Sequence, residues 1–326
     1  MNFITILRLL VLLSFTSHIT EGDEYWKFSE KCMGTDFHIL IDHQDHQLAK
    51  IAAGKAFREC KRLNNIFSDY ITDSEVAKLS RSSYSNKSVK VSNELFDILT
   101  YSKTLSKRTN GAFDPTLGQL SRLWRVSRFR HSLPPRKSLL TAMAKKGCQH
   151  LELTNRPKAV RITCPGLILD FGGIAKGYAA DQMMLKLRKS GIGRCLIDAG
   201  GDITLGDAPR DKEGWRIEIG GNKHPDLPTL VLDNCSVATS GDTEQYVEIN
   251  NTRYSHIIDP QSGYGLRNLS QVTIIAPTGL IADSIATAAL VLGPDKTKEA
   301  LIENNQTLAY FITRKEKQTN LTIIKR

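Results

Sequence analysis

The sequence predicts an α+β fold, a single domain of mixed or antiparallel β-sheets with packed helices, arranged in one or two lobes. Three observations predict it. The chain has 326 residues, of which 40% are hydrophobic, which is enough for a large buried core. Segments with strand periodicity are joined by short turns and alternate with amphipathic helical segments. No internal repeat and no linker rich in Pro, Gly or Ser divides the chain.

The N-terminus has the pattern of an export signal. Residues 3–16 form an apolar run interrupted by Arg8, and polar residues 20–23 follow it. The run is shorter than a membrane-spanning helix and is typical of a signal peptide. Because no small-x-small triplet precedes Glu21, an uncleaved anchor is the alternative. We expect residues 1–20 to be a signal peptide or N-terminal anchor, residues 21–326 to be the domain, and the protein to be exported to the periplasm or anchored to the inner membrane.

The first part of the domain is predicted to combine strands with amphipathic helices. Residues 26–42 alternate as a strand with a bend at 31–35, and apolar residues recur at helical spacing over 47–67. Ser92 or Asn93 is a suitable N-cap for the third helix. The remaining elements predicted here are a short helix at 74–79, a strand at 89–91 and a helix at 92–109.

Two cysteines flank a predicted hairpin. Residues 149–153 and 159–163 have strand character and are joined by a turn at 154–158. Such a hairpin brings Cys148 and Cys164 opposite each other, where an oxidising compartment would favour a disulfide. The alternative is a pair of small buried thiols. None of the six cysteines has Cys-x-x-Cys spacing, which argues against a zinc or thioredoxin-type site.

The net charge of +10 is concentrated in one stretch. Between Pro115 and Leu151 there is no acidic residue, while eight Lys and Arg residues occur there. This stretch suits anionic membrane headgroups or an acidic partner protein, or is a solvated face. Nucleic acid is not expected as a partner, because no recognition motif accompanies the charge. The eight cations are Arg122, Arg125, Arg128, Arg130, Arg136, Lys137, Lys145 and Lys146.

A glycine turn that leads into a helix follows this stretch. Residues 167–170 are predicted as a strand, Gly172 and Gly173 as the turn, and the helix is predicted to end near Lys189, before Gly191. A helix N-terminus offers free backbone N–H groups and a positive dipole to a phosphate, and Lys176 adds a cation. Because the sequence matches neither G-x-G-x-x-G nor a Walker A motif, a plain tight turn is the alternative.

The remainder of the chain is predicted to be rich in strands. Residues 245–249 and 252–258 alternate around an Asn250-Asn251 turn and predict a hairpin. His256 lies near the end of the second strand, where a side chain can face a cleft; the alternative is a hydrogen-bonded structural histidine. Other predicted elements are strands at 194–197, 215–219, 229–232, 307–312 and 321–324 and a helix at 295–304.

The small-residue apolar run at 280–292 predicts a packed helix that ends at Gly293-Pro294. On this helix Asp283 and Thr287 are four residues apart, so the carboxylate and the hydroxyl share one face. Two hard oxygen ligands on one face suit Mg²⁺, which completes its shell with water and substrate phosphate. Compensation of the helix dipole by Asp283 is the alternative.

Seven motifs in order resemble the ApbE family of FAD:protein FMN transferases. The resemblance runs from about Met33 to beyond Gly293 and covers most of the mature chain. In this sequence the motifs are Met33-Gly34-Thr35, Phe67-Ser68-Asp69-Tyr70, Gly111-Ala112-Phe113-Asp114-Pro115-Thr116, Asp170-Phe171-Gly172-Gly173-Ile174-Ala175-Lys176-Gly177, Ala238-Thr239-Ser240-Gly241-Asp242, Tyr254-Ser255-His256-Ile257-Ile258-Asp259-Pro260 and Asp283-Ser284-Ile285-Ala286-Thr287.

The resemblance implies a catalytic domain with a role for each of these residues. His256 would be the catalytic base, and the Gly173 carbonyl would join Asp283 and Thr287 around Mg²⁺. Family members usually carry Ala or another small residue where Gly173 stands, a difference that a carbonyl ligand is expected to tolerate. The residues implied to line the FAD site are Met33, Tyr70, Ala112, Phe113, Asp114, Asp170, Lys176 and the backbone near Ile257.

The implied reaction uses FAD as substrate and Mg²⁺ as cofactor. FMN is transferred to a Thr or Ser hydroxyl of an acceptor flavoprotein subunit of an exported or membrane redox complex, and AMP leaves. Association with a membrane surface is also compatible with the basic stretch. Two alternatives stay open: an FAD pyrophosphatase that uses water as acceptor, and an exported FAD-binding protein without turnover.

Overall fold

The computed structural model describes residues 25–219, 227–241, 246–267, 270–301, 307–315 and 318–324. The predicted signal peptide or anchor and Asp242 lie outside these ranges. Among the residues described, no helix is both long and apolar enough to cross a membrane.

An eight-stranded sheet forms the centre of the fold, and all of its neighbouring strands are antiparallel. The predicted α+β fold is confirmed. Of the mixed and antiparallel sheets that were predicted, the main sheet is antiparallel. In spatial order the strands are β1 (Trp26–Cys32), β2 (Thr35–Ile41), β6 (Cys195–Ala199), β7 (Ile203–Leu205), β10 (Ser236–Gly241), β13 (Ser270–Ala276), β14 (Leu308–Lys315) and β15 (Gln318–Ile324).

Three long helices cover one face of this sheet and enclose the main core. They are α1 (His46–Phe67), α6 (Ala175–Lys189) and α7 (Gly279–Leu301). Small residues on α7, such as Ala282 and Ala286, are fully buried and allow the helix to lie close to the sheet. Within α7 the backbone breaks at Gly293, where φ is 74°, as the Gly-Pro pair predicts.

A three-stranded sheet and two helices extend the main core. Its order is β3 (Val89–Lys90), β5 (Lys158–Ile162) and β4 (Leu151–Asn155), with α2 (Glu75–Ser82) and α3 (Asn93–Arg108) nearby. Ser92 caps α3 by accepting from the N–H of Leu95. The predicted hairpin is confirmed. All six cysteines are free thiols in the structure, so Cys148 and Cys164 match the alternative of two small thiols rather than a bridge. Leu151 pairs with Ile162, a register that would place Cys148 opposite residue 165 rather than Cys164.

A second, small core lies between two helices and a hairpin. The helices are α4 (Gly118–Arg130) and α5 (Arg136–Met143), and the hairpin is β11 (Tyr246–Ile249) with β12 (Thr252–Ser255). Asn250 and Asn251 both have positive φ, which fits the predicted two-residue turn. The buried members of this small core are Leu120, Trp124, Leu139, Ala142, Val247, Ile249, Tyr254 and Ile258.

The opposite face of the main sheet carries a hairpin of β8 (Trp215–Glu218) and β9 (Thr229–Leu232). Trp215 and Ile217 pack there with Val237 and Tyr310 of the sheet.

Two sequence predictions of local structure are wrong, and one structured stretch received no prediction. Residues 26–42 form two strands joined by a hairpin, because Met33 and Gly34 both adopt positive φ and reverse the chain. No strand forms at 167–170, where Ile168 makes only an isolated bridge to Leu117. The basic stretch was given no helix, yet it forms α4 and α5 around the small core.

Candidate active site

The crossing of α6 and α7 brings together the residues predicted to hold a metal. A Cβ atom on Gly177 or on Gly279 would collide with the backbone carbonyl of the other glycine. Only glycine at both positions allows the two helix starts to approach this closely.

The two helices stabilise each other's N-termini through carboxylates. Asp181 of α6 accepts hydrogen bonds from the backbone N–H groups of Gly279, at 2.7 Å, and Leu280, at 2.9 Å. In the other direction, Oδ2 of Asp283 on α7 accepts from the N–H of Gly177 in α6, at 3.1 Å. Burial raises the pKa of Asp181 to about 6, against the lowering effect of the two N–H donors.

Gly173 lies against Thr287, as the predicted metal site requires. A Cβ atom built on Gly173 would come within 2.6 Å of the Thr287 hydroxyl oxygen. An alanine at this position would therefore need Thr287 to rotate, which qualifies the expectation that glycine and alanine are equivalent here.

The oxygens in this group fit a divalent cation. In the described part of the chain the Asp283 carboxylate accepts one hydrogen bond, to Oδ2, and Oδ1 and the Thr287 hydroxyl keep unused lone pairs. Burial is the main cause that raises the pKa of Asp283 to about 7, although Lys176 opposes it. Lys176 compensates the charge of this buried carboxylate only in part, and a bound Mg²⁺ would supply further positive charge.

Lys176 in the first turn of α6 pairs with Asp202, which is buried. Burial by itself would lower the pKa of Lys176, but the charges of Asp202, Asp283 and Asp198 outweigh it and raise that pKa. The ammonium group is therefore a fixed cation at a helix N-terminus, and it lies close enough to Asp283 to interact electrostatically.

The hairpin between β1 and β2 lies beside the turn that carries Asp202. A Cβ atom on Gly200 would come within 2.6 Å of the Thr35 side chain, so the two turns touch. Met33 has a φ of 49° at the tip of this hairpin and packs partly against the main core. Met33 and Lys176 are thus placed at the same end of the sheet.

Arg125 of α4 connects Tyr70 with Asp170. Its guanidinium makes two hydrogen bonds to Asp69, at 2.6 and 3.1 Å, and lies 3.6 Å from Oδ2 of Asp170. The Tyr70 ring stacks on the guanidinium at 4.0 Å, although 74% of Tyr70 is exposed. Oδ1 of Asp170 accepts from the N–H of Gly172 and so orders the glycine turn. A cleft of about 340 Å³ adjoins Asp69 and Tyr70.

The side chains of segment 112–114 are at least partly buried, so the segment can face the proposed FAD site chiefly through its main chain. Phe113 is buried in the main core, and its ring is a packing group. Asp114 accepts from both the N–H and the hydroxyl of Thr116 through Oδ1, and burial raises its pKa. The Pro115 carbonyl then accepts from the N–H of Asp170, at 2.8 Å, so that this loop supports the Asp170 loop. Ala112 precedes these residues and is half-buried.

His256 lies at the junction of the two cores. Its neighbour Ile257 packs against the main core, whereas Ile258 belongs to the small core. The backbone of this segment is held by hydrogen bonds from Leu266 N–H to the Ile257 carbonyl, at 2.9 Å, and from Ile257 N–H to the Ser255 hydroxyl, at 3.1 Å. The imidazole is half-buried and interacts with its surroundings.

Helix α4 links the His256 segment to the Asp170 loop. The indole N–H of Trp124 donates to the Gly263 carbonyl at 2.8 Å, in the loop that follows His256. Arg125, the next residue, contacts Asp170. Sequence reasoning placed Arg125 among solvated or docking cations and did not single out Trp124, Asp181 or Asp202. The sequence did not distinguish Arg125 from the other cations of its stretch, because no acidic residue lies near it in sequence. Its partner Asp69 is 56 residues away.

Comparison with known proteins identifies the family. The model of the ApbE family matches residues 33–312. The FAD:protein FMN transferase of Escherichia coli K12 is 31% identical over 305 residues, which covers 90% of this chain and 86% of that protein. The protein of the same name from Klebsiella pneumoniae 342 is 30% identical over 296 residues, covering 88% and 83%.

Solved structures give the same result. The apo form of the flavinyl transferase ApbE of Pseudomonas stutzeri superposes with a TM-score of 0.80 at 29% identity and covers 93% of this chain and 95% of that one. The apbe protein of Thermotoga maritima superposes with a TM-score of 0.81 at 26% identity, covering 93% and 100%.

Proposed function

The chain belongs to the ApbE family, and from this premise we propose that it is an FAD:protein FMN transferase. The observation that carries the proposal is the close approach of Gly173 to Thr287 beside the buried Asp283 carboxylate, at the N-terminus of α6. Such a group of oxygens next to a fixed cation suits a diphosphate with its metal ion.

The proposed metal ligands are the Gly173 carbonyl, the Asp283 carboxylate and the Thr287 hydroxyl. A bound Mg²⁺ would neutralise the charge of the FAD pyrophosphate that otherwise repels a nucleophile. Lys176 and the positive end of the α6 dipole stabilise the negative charge that develops on the departing AMP.

His256 is the proposed general base. A Thr or Ser hydroxyl of the acceptor protein loses its proton to the imidazole, since histidine is the side chain that most often serves as a general base. The oxygen then bonds to the phosphorus of the FMN half, the bond from that phosphorus to the bridging oxygen breaks, and AMP leaves with that oxygen. The products are an acceptor carrying FMN through a phosphoester and free AMP.

Tyr70, Asp170 and Met33 are proposed to bind the rest of FAD. The ring of Tyr70 is exposed and stacks on Arg125, a geometry that leaves its other face available to an aromatic ring. Asp170 fixes the glycine turn, and the backbone at Ala112, Asp114 and Ile257 completes the proposed FAD site together with the Phe113 main chain.

The acceptor is proposed to dock on the outer face of α4 and α5. This face exposes Phe129, at 88%, together with Val126 and Leu140, and the two helices themselves carry cations and no acidic residue. An acidic acceptor protein complements such a surface. The inner face of α4 holds Trp124 and Arg125, so docking there would bring the acceptor close to the His256 segment.

The proposed acceptors are flavoprotein subunits of exported or membrane redox complexes. This agrees with the proposed export of the chain, to the periplasm or with an anchor in the inner membrane. An anionic membrane is the other occupant that the α4–α5 face could take, and binding of the purified protein to anionic vesicles but not to the acceptor would select it.

Product analysis tests the proposed reaction. The protein is incubated with FAD and Mg²⁺, with and without an acceptor domain that carries a reactive threonine. A transferase releases AMP in an amount that matches the FMN bound to the acceptor. Equal AMP release with and without the acceptor, accompanied by free FMN, would identify a pyrophosphatase.

A further inference from the structure

Two cysteines outside the proposed active site lie in contact within the main core. Cys32 is the last residue of β1, and Cys60 lies in the second half of α1. Their sulfur atoms are 2.7 Å apart, and both side chains are buried. This is closer than two sulfur atoms approach without a bond, and it is nearer to the disulfide length of about 2.05 Å.

No other cysteine is placed in this way. All six cysteines lie in the described part of the chain, and the other sulfur contacts there are of a different kind. Cys148 contacts Oδ1 of Asp114 at 3.7 Å, and Cys195 contacts the Met184 sulfur at 3.6 Å. The pairing is thus specific to Cys32 and Cys60, whereas the sequence drew attention to Cys148 and Cys164.

We propose that Cys32 and Cys60 form a structural disulfide bond when the protein matures in an oxidising compartment. The bond forms by exchange with a disulfide-containing protein oxidant. One thiolate attacks the oxidant to give a mixed disulfide, and the second thiolate then displaces the oxidant as a dithiol. Two electrons and two protons pass to the oxidant's sulfurs. Because Cys60 is fully buried, this exchange takes place before α1 packs onto the sheet.

The bond would tie the edge hairpin of the sheet to α1. Cys32 and Cys60 are 28 positions apart, so the bond closes a loop that contains all of β2. Cys32 directly precedes Met33, which occupies the hairpin tip beside the Asp202 turn. β1 is an edge strand and has a neighbouring strand on one side only. The disulfide would therefore give the hairpin tip a support that the sheet does not supply on the other side.

Thiol state and thermal stability test the proposal. The full chain is exported into an oxidising compartment, purified without reductant, denatured and alkylated. We expect four of the six cysteines to react, and proteolytic peptides containing Cys32 and Cys60 to be joined. Reduction of the native protein should lower Tm by roughly 5–10 °C.

A double variant, C32A with C60A, is the control for the effect of the reductant. Its Tm should be unaffected by reduction, and C148A should behave like the unmodified protein. Six reactive thiols in the exported protein, or a bond that joins Cys148 to Cys164 instead, would overturn the proposal. Because the readouts are peptide mass and Tm, the result is independent of whether the protein transfers FMN.

Discussion

The backbone N–H of Gly177 donates a hydrogen bond of 3.1 Å to Oδ2 of Asp283, across the crossing of α6 and α7. This bond fixes one oxygen of a buried carboxylate and leaves the other without a hydrogen-bond partner in the described part of the chain. The same crossing places Lys176 and the α6 N-terminus at that point. The glycine contact between the helices is therefore what assembles the site.

Replacement of Asp283 by Ala should reduce transfer by about 100-fold or more, because the proposed metal loses its only carboxylate. Mg²⁺ titration of the transfer rate, together with Mg²⁺ binding by calorimetry, measures this effect. D295N removes an exposed carboxylate from the same helix and is the matched control, with no change expected. Unaltered Mg²⁺ binding by D283A would place the metal elsewhere.

Replacement of Thr287 by Ala should weaken Mg²⁺ binding without unfolding the helix, since alanine is a good helix former. The expected loss is about tenfold in Mg²⁺ affinity, because one neutral ligand is removed and water can take its position. T287S retains the hydroxyl and should remain close to the unmodified protein. Equal Mg²⁺ affinity in T287A and T287S would contradict the assignment.

Replacement of Arg125 by Lys should weaken FAD binding by about tenfold. Lysine cannot make the paired hydrogen bonds to Asp69 or stack flat against the Tyr70 ring, so Tyr70 and Asp170 lose their common support. Fluorescence titration with FAD measures the effect. Arg130 is an exposed cation of the same helix and has no ion pair with any residue that the structure describes, so R130K should bind FAD normally. If both variants bind FAD equally well, Arg125 does not organise the site.

Asp181 should make stability depend on pH below neutrality. Its pKa is raised in the folded protein from an ordinary value of 3.8 to about 6, so the protonated form is favoured by folding. The contribution of Asp181 to the free energy of unfolding is complete below about pH 3.8 and is lost as pH rises through about 6. The total loss is up to about 3 kcal/mol. Urea unfolding at pH 4.5 and 6.5 measures it.

D181N should remove this part of the pH dependence, because asparagine does not titrate. The difference in unfolding free energy between the two pH values should then be smaller than in the unmodified protein. An identical difference in both proteins would show that Asp181 has an ordinary pKa in the folded state.

Charge reversal at Arg130 and Lys137 should raise KM for the acceptor by about tenfold at low salt and leave FAD binding unchanged. These cations have no acidic neighbour in their stretch of sequence, and repulsion would slow association with an acidic acceptor. Steady-state transfer kinetics at two salt concentrations measure this effect. The control is the double variant K55E/K189E, which reverses two charges on α1 and α6. An equal rise in KM for both double variants would argue against docking on the α4–α5 face.

The sequence predicted the elements that have a simple local pattern. The α1 helix was placed within one residue, and the turn of β11 and β12 was correct, because helical spacing and the Asn-Asn pair are signals contained in the segment itself. Asp283 and Thr287 were predicted to share a face for the same reason, and Gly173 does meet Thr287.

Long-range partners were not predictable in this way. The α4 helix has cations on several faces and packs Trp124 against residues more than a hundred positions away, so its own sequence gives no clear apolar stripe. Phe113 was assigned to the FAD site by resemblance, whereas its ring fills the main core. The Cys32–Cys60 contact depends on the packing of α1 against β1, which the spacing of the cysteines does not reveal.

The most direct test of the account is mass spectrometry of an acceptor flavoprotein co-expressed with this protein. The unmodified protein should add FMN through a phosphoester to one Thr or Ser of the acceptor, and H256A should bind FAD but lower the rate of addition by about two to four orders of magnitude. The account would be contradicted if H256A added FMN at the rate of the unmodified protein. It would also be contradicted if the unmodified protein added no FMN to the acceptor while AMP accumulated.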